Sequence, residues 1–135
     1  MSWQAYVDSS LVGTGHIDKA AIISAAGDST WAVSPGFTVS ADEMKSIAAL
    51  VAENGNAEGP NVKKVFADGL HVGGQRYVAF NVDGRHVYGR QGRTGIVIVK
   101  TTQAILVAHY GETNIAGNST QTVEALADYL IKLGY

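Results

Sequence analysis

Trp3, Tyr6, Val7 and Leu11 recur at intervals of three and four, so residues 2–12 are predicted as a short helix with one apolar stripe. Gly13-Thr14-Gly15 stops it. The apolar run Ala20 to Ala25, the turn at Gly27-Asp28 and the segment Thr30 to Val33 read as a β-hairpin. Ser40-Ala41-Asp42-Glu43 has the spacing of a capping box, and Met44, Ile47, Ala48 and Val51 mark the buried side of a second helix behind it. Residues 53–61 are rich in Gly, Asn and Glu and read as a loop, and Val62 to Phe66 as one helical turn. From Gly69 onward the pattern changes to strands: 70–72, 77–82, 85–88, 96–99 and 103–109, with Gly73-Gly74, Asp83-Gly84, Gly92 to Gly95 and Thr101-Thr102 at the turns. Residues 120–133 form a last helix whose buried side carries Val123, Leu126, Ala127, Leu130 and Leu133. A contiguous series of hairpins implies an antiparallel meander, because parallel neighbours need long crossovers. The terminal helices are expected to cover one face of that sheet.

Length and composition narrow the class. The 135 residues fit one domain, 1–135, with 46% hydrophobic and 16% charged residues. No apolar run approaches the roughly 20 residues of a membrane span. The start of the chain lacks the basic-then-apolar layout of a secretory signal. Zero cysteines exclude disulfides, thiolate metal sites and cysteine nucleophiles. A cytoplasmic protein is the simplest reading.

The net charge of −2 hides an asymmetry. Between Lys63 and Lys100 stand seven basic residues (Lys63, Lys64, Arg76, Arg85, Arg90, Arg93, Lys100) against Asp68 and Asp83, a local net of +5; the rest of the chain carries −7. A basic block in an acidic chain suits an acidic partner: a protein face, a phosphoinositide headgroup or nucleic acid. We expect one shared basic face; the period-two alternation of strands is the alternative, dividing the charges between two surfaces.

Catalytic chemistry is hard to place. His16, His71, His86 and His109 are scattered, without helical ligand spacing. Gly89-Arg90-Gln91-Gly92-Arg93-Thr94-Gly95 has neither dinucleotide nor phosphate-loop spacing and reads as a basic hairpin turn. Asn118-Ser119-Thr120 matches a glycosylation sequon that a cytosolic chain does not use. No nucleophile stands in an acid–base context, so a binding module is favoured over an enzyme, with no cofactor and no metal.

The aromatic residues are the unusual feature. Trp3 and Tyr6 share one side of the first helix, Trp31 lies on a strand between small neighbours, and Tyr129 and Tyr135 lie near the C-terminus. If the terminal helices pack side by side, these five converge on one surface. A row of Trp and Tyr rings docks a polyproline II helix, which is already extended and offers its carbonyls to indole N–H and phenol O–H donors. The competing arrangement places both tryptophans in the core.

Ser2-Trp3-Gln4-Ala5-Tyr6-Val7-Asp8 and the close Leu126-Ala127-Asp128-Tyr129-Leu130 with Gly134-Tyr135 resemble the profilin family. So, in order, do Leu11 to Gly15, Asp28 to Ala32, Gly73 to Tyr77, Val87 to Arg90 and Gly95 to Thr101, and the likeness is to the fungal, amoebal and protist branch. The stretch 53–66 looks longer than usual, and Asn81 stands where the family often has arginine.

The resemblance implies an α+β fold: a central antiparallel sheet of five to seven strands, terminal helices together on one face, smaller helices on the other. It implies an actin-monomer-binding regulator of the cytoplasmic actin cytoskeleton that also binds proline-rich proteins such as formins and phosphatidylinositol bisphosphate, with no nucleic-acid partner. Carried over by position, Trp3, Tyr6, Trp31, Tyr129, Leu130 and Tyr135 match the polyproline groove. Val62, Lys63, Phe66, Arg76, Arg90, Lys100, Thr120 and Gln121 match the actin surface, with Val62 and Phe66 as candidates for its apolar centre and the core as the alternative place for Phe66. Arg76, Arg85, Arg90 and Arg93 are the headgroup candidates. The runner-up is the same fold keeping polyproline and lipid binding with weak actin affinity.

Overall fold

The computed structural model describes residues 2–135. Seven strands form one antiparallel sheet: β1 (Lys19–Ser24), β2 (Thr30–Val33), β3 (Leu70–Val72), β4 (Gln75–Asp83), β5 (His86–Gln91), β6 (Thr94–Lys100) and β7 (Ala104–Tyr110). Their order is β2-β1-β7-β6-β5-β4-β3. The meander from β3 to β7 follows the chain, and β7 then pairs with β1, so the N-terminal hairpin extends the sheet at the far side.

Both faces are covered at the centre, which is why β6 and β7 read as unbroken apolar runs. One core holds Ile23, Ile47, Val51, Val65, Val72, Ile96 and Ile98 beneath α2 (Ala41–Ala52) and α3 (Pro60–Asp68). The other holds Val7, Leu11, Ile22, Val97, Leu106, Val123 and Leu130 beneath the N-terminal helix and α4 (Ala116–Lys132). Terminal helices on one face and smaller helices on the other is the expected arrangement.

The N-terminal helix departs from the expected regular form. Ser2 Oγ caps α1 (Trp3–Ala5) by accepting the Ala5 N–H at 3.1 Å, and the chain then widens into a π-helical stretch (Tyr6–Leu11) and ends in a 3-10 turn (Val12–Thr14). The widened turn shows in the Val12 N–H, which donates to Val7 O. Gly13 permits this, since a Cβ there would meet Asp8 O at 2.7 Å. Over eleven residues, apolar spacing of three and four does not separate the two helical pitches.

The capping box of α2 forms as read: Ser40 Oγ accepts from Glu43 N, and Glu43 Oε1 accepts from Ser40 N. The Glu43 carboxylate also accepts the N–H groups of Gly73 (3.0 Å) and Gly74 (2.9 Å), tying α2 to the β3–β4 turn.

The segment 53–66 is more ordered than a loop followed by one turn. Helix α3 spans nine residues, opens with Pro60 at its first turn, and is capped from a distance by Glu53. The Glu53 carboxylate accepts from Asn61 N (3.0 Å), Asn61 Nδ2 (2.6 Å) and Val62 N (2.9 Å). A side chain at Gly59 would collide with that carboxylate. Desolvation opposes ionisation of Glu53, but the hydrogen bonds from Val62 and Asn61 outweigh it and hold the group below the usual glutamate range. Its contribution to stability is therefore present above the unfolded value of about 4.3 and lost as pH falls through the lowered folded value. Thermal melts from pH 7 to pH 3 should show Glu53→Ala less stable than the parent at pH 7, with the gap closing at the acid end. A constant gap would mean that the carboxylate charge is irrelevant to the cap.

Candidate functional site

At the edge of the sheet, aromatic side chains from three elements meet. Trp3 comes from the first turn of α1, Tyr6 from the next turn, Trp31 from β2, and Tyr129 and Tyr135 from the end of the chain. Trp3 is the hub: its ring lies 4.8 Å from Trp31, 5.7 Å from Tyr6 and 5.2 Å from Tyr135, the last two edge-on. Tyr6 and Tyr129 pack at 6.2 Å.

Trp31 reaches this cluster through an irregularity in β2. Ala32 pairs with Ile22 and Thr30 with Ile23, so Trp31 is the extra residue of a β-bulge. Strict alternation would send it to the face opposite Ala32. The bulge turns both toward the terminal helices, where Trp31 packs on the same core as Ala32. Its indole Nε1 donates to Ser29 Oγ at 3.2 Å.

Tyr135 is held by its main chain. Gly134 adopts φ 94°, and Tyr135 N donates to Leu130 O at 2.9 Å. The Tyr135 main-chain oxygen accepts from Thr101 Oγ1 at 2.8 Å and from Gln103 N. The side chain is thus free to serve as a wall.

The six polyproline candidates divide by depth. Tyr129 and Tyr135 are exposed, Trp3 and Trp31 half-buried, and Tyr6 buried at the base. Leu130 is fully buried, so it is a support beneath the rings rather than a contact surface. Burial, reinforced by the Tyr129 and Tyr135 phenols, raises Tyr6 above the ordinary tyrosine value, keeping it a neutral O–H at physiological pH. The cluster therefore offers apolar ring faces with hydroxyl and indole donors at their margins.

The basic block does not form one face. Arg76 and Arg90 lie on the terminal-helix side of the sheet, beyond the cover of α4, whereas Lys100 pairs across with Ile105 on the other side. Arg85 is engaged: it forms ion pairs with Glu124 (2.6 Å) and Asp128 (2.9 Å) of α4. Arg76 Nε donates to Asp68 O at 2.8 Å, and Lys63 pairs with Glu58 at 3.2 Å on the surface. Arg90 and Arg93 stand exposed at and beside the β5–β6 turn. Alternation and pairing therefore reduce a local net of +5 to a few accessible cations.

Of the two residues proposed as an apolar centre, Val62 is 3% exposed and belongs to the core, while Phe66 stands out on α3 at 55%. Four residues apart, they lie on one side of α3, which is buried at Val62 and open at Phe66. Thr120 is half-buried and Gln121 exposed on α4.

Val78 (58%) and Phe80 (53%) stand exposed side by side on β4, and the sequence pattern singles out neither. Ala79 pairs with Gly89 and Asn81 with Tyr88, so Phe80 is the extra residue of a second bulge, turned out beside Val78. The Arg90 guanidinium lies 5.1 Å over the Phe80 ring, and Val78, Phe80, Arg90 and Gly92 line a shallow concavity of about 280 Å³. In the sequence Phe80 is one more apolar residue of the run Tyr77-Val78-Ala79-Phe80; the bulge that exposes it is not visible there.

Helix α4 is fixed between the two surfaces. Glu124 takes Arg85 and also accepts the Tyr88 hydroxyl at 2.9 Å, and burial together with that bond raises Tyr88 strongly. His86 stacks on Tyr88 at 4.4 Å and approaches Glu124 with Nδ1 at 3.4 Å. His109, one of the scattered histidines, bonds Asp18 at 2.6 Å between β7 and the start of β1. Among the described residues no group of three metal-ligating side chains comes together, and no helix is long and apolar enough to cross a membrane.

A sheet flanked by two helical layers, with an aromatic trough at its edge and a separate apolar–cationic patch on its far strands, defines a binding module. Comparison with known proteins gives the family. A profilin family model matches residues 1–135. Profilin from Schizosaccharomyces pombe is 47% identical across the whole of both chains. A crystal structure of that S. pombe profilin superposes with a TM-score of 0.90 at 46% identity, covering 99% of this chain and 100% of the other. Mouse profilin IIa, solved in complex with a double repeat from the FH1 domain of mDia1, shares the fold at a TM-score of 0.76 and 20% identity, with full coverage of both chains. The chain belongs to the profilin family, whose members are actin-binding regulators and not enzymes.

Proposed function

We propose that this protein binds monomeric actin and controls its polymerisation, while its aromatic trough takes proline-rich segments such as those of formins. The observation that carries the reading is the convergence of Trp3, Tyr6, Trp31, Tyr129 and Tyr135 into one trough beside β2, at the opposite side of the sheet order from the Val78–Phe80–Arg90 patch. A polyproline II ligand loses little entropy on docking against such rings. The mouse neighbour bound to an FH1 repeat supports the same ligand class.

Actin is assigned to the outer face of β4 and β5, where Val78 and Phe80 supply a dehydrating centre and Arg90, with Arg76, a cationic rim. Phe66, Lys63, Thr120 and Gln121 remain candidates at its margins. Phosphoinositide headgroups at a membrane surface are assigned to Arg76, Arg90 and Arg93, without Arg85, whose charge is compensated within the fold. Asn81 in place of a common arginine favours a second reading, in which polyproline and lipid binding persist with weak actin affinity.

One titration separates the two. Pyrene-actin polymerisation with increasing protein should show monomer sequestration, and retention on polyproline resin should occur in parallel. Resin binding without any effect on actin selects the second reading; neither effect removes both.

A further inference from the structure

Gln4 follows the hub tryptophan directly and faces solvent. Its carboxamide nevertheless makes three hydrogen bonds. Nε2 donates to Val33 O at 3.0 Å, and Oε1 accepts the Val33 N–H at 3.4 Å. Nε2 also donates to Asp8 Oδ1 at 3.1 Å.

Val33 is where the sheet edge is open. Strand β2 is the outermost strand, and the neighbouring Ser34 N–H turns inward to Ala20 O at 2.9 Å. Peptide groups alternate along an antiparallel strand, so both main-chain groups of Val33 point outward. A single side-chain amide meets both, as the next strand would, and closes the edge at that point. Asp8 sets the polarity. An ionised carboxylate only accepts, so it selects the amide orientation with NH₂ toward Asp8, which is the orientation that Val33 O requires.

We propose that Gln4 is a positioning residue for the aromatic trough: by pairing with the Val33 main chain, with its amide oriented by Asp8, it locks the first turn of α1 against β2 and so holds the Trp3 ring over Trp31. The two indoles, 4.8 Å apart and tilted by 47°, belong to these same two elements. The consequence for ligand binding rests on the polyproline reading above; the geometric claim does not.

The test uses full-length Gln4→Ala and Gln4→Glu, each measured for poly-L-proline affinity by tryptophan fluorescence, for the exciton couplet of the Trp3–Trp31 pair by circular dichroism, and for Tm. Gln4→Ala should reduce the couplet and weaken binding about fivefold, the usual net worth of one hydrogen bond. Gln4→Glu should be weaker still, because a carboxylate cannot donate to Val33 O and is repelled by Asp8. A residue acting only through helix stability gives the opposite order, since an acid in the first turn favours the helix. Gln4→Glu binding as tightly as the parent, or a couplet unchanged in both variants, overturns the proposal. If the parent itself does not bind poly-L-proline, the trough reading fails, and the couplet in Gln4→Ala alone decides the clamp: lost, it stands; retained, it falls.

Discussion

Trp3→Ala should weaken poly-L-proline binding by about thirtyfold or more, the loss expected for an aromatic anchor worth on the order of 2 kcal/mol. Trp3 touches Trp31, Tyr6 and Tyr135, so its removal takes away a ring face and also the body against which the other rings are set. Tyr135→Ala should cost less, because Tyr135 contacts the hub from the exposed end and its main chain stays bonded to Thr101 and Gln103. Trp3 also packs on the terminal-helix core, so Tm must be measured on the same preparation. A folded Trp3→Ala variant that is retained on polyproline resin like the parent would place the ligand elsewhere.

Local signals in the sequence carried most of the fold. The Ser40–Glu43 capping box, the Gly73-Gly74 and Asp83-Gly84 turns and the apolar runs of β6 and β7 depend on neighbours within a few residues, and each is found where the pattern puts it. The antiparallel meander follows from the short turns. What the pattern misplaced depends on distant partners. Helix α3 is longer than its apolar spacing suggests because Glu53, outside it, caps its N-terminus. Leu130 and Val62 look like contact residues until the direction of their helices is known. The shared basic face dissolves because Arg85 finds Glu124 and Asp128 on α4, some forty residues away in sequence. The two bulges are the most instructive case. One extra residue in β2 brings Trp31 into the trough, and one in β4 exposes Phe80, yet neither leaves a mark in a period-two reading.

That second bulge makes Phe80 the residue on which actin binding should depend most. Exposed ion pairs are each worth little, so a cationic rim without a dehydrated centre gives orientation and association rate rather than affinity. Phe80 is more than half exposed, so Phe80→Ala removes interface area at small cost to the fold, and should weaken actin-monomer affinity by about thirtyfold if Phe80 sits at the centre of the contact. Arg90→Glu should weaken it through slower association and a changed salt dependence, since a reversed charge lies over the same ring. Arg90 is a cleaner choice than Arg76, whose guanidinium also holds the end of α3 through Asp68 O. Poly-L-proline affinity should be unchanged in both variants. Trp31 on β2 and Phe80 on β4 are five strand spacings apart in the sheet order, about 24 Å, well beyond the range in which substitutions couple. Actin and poly-L-proline affinities measured on the same Phe80→Ala and Arg90→Glu preparations decide the matter. Parallel loss of both would indicate misfolding or a shared site, and full actin affinity in both variants would move the actin surface off β4 and β5.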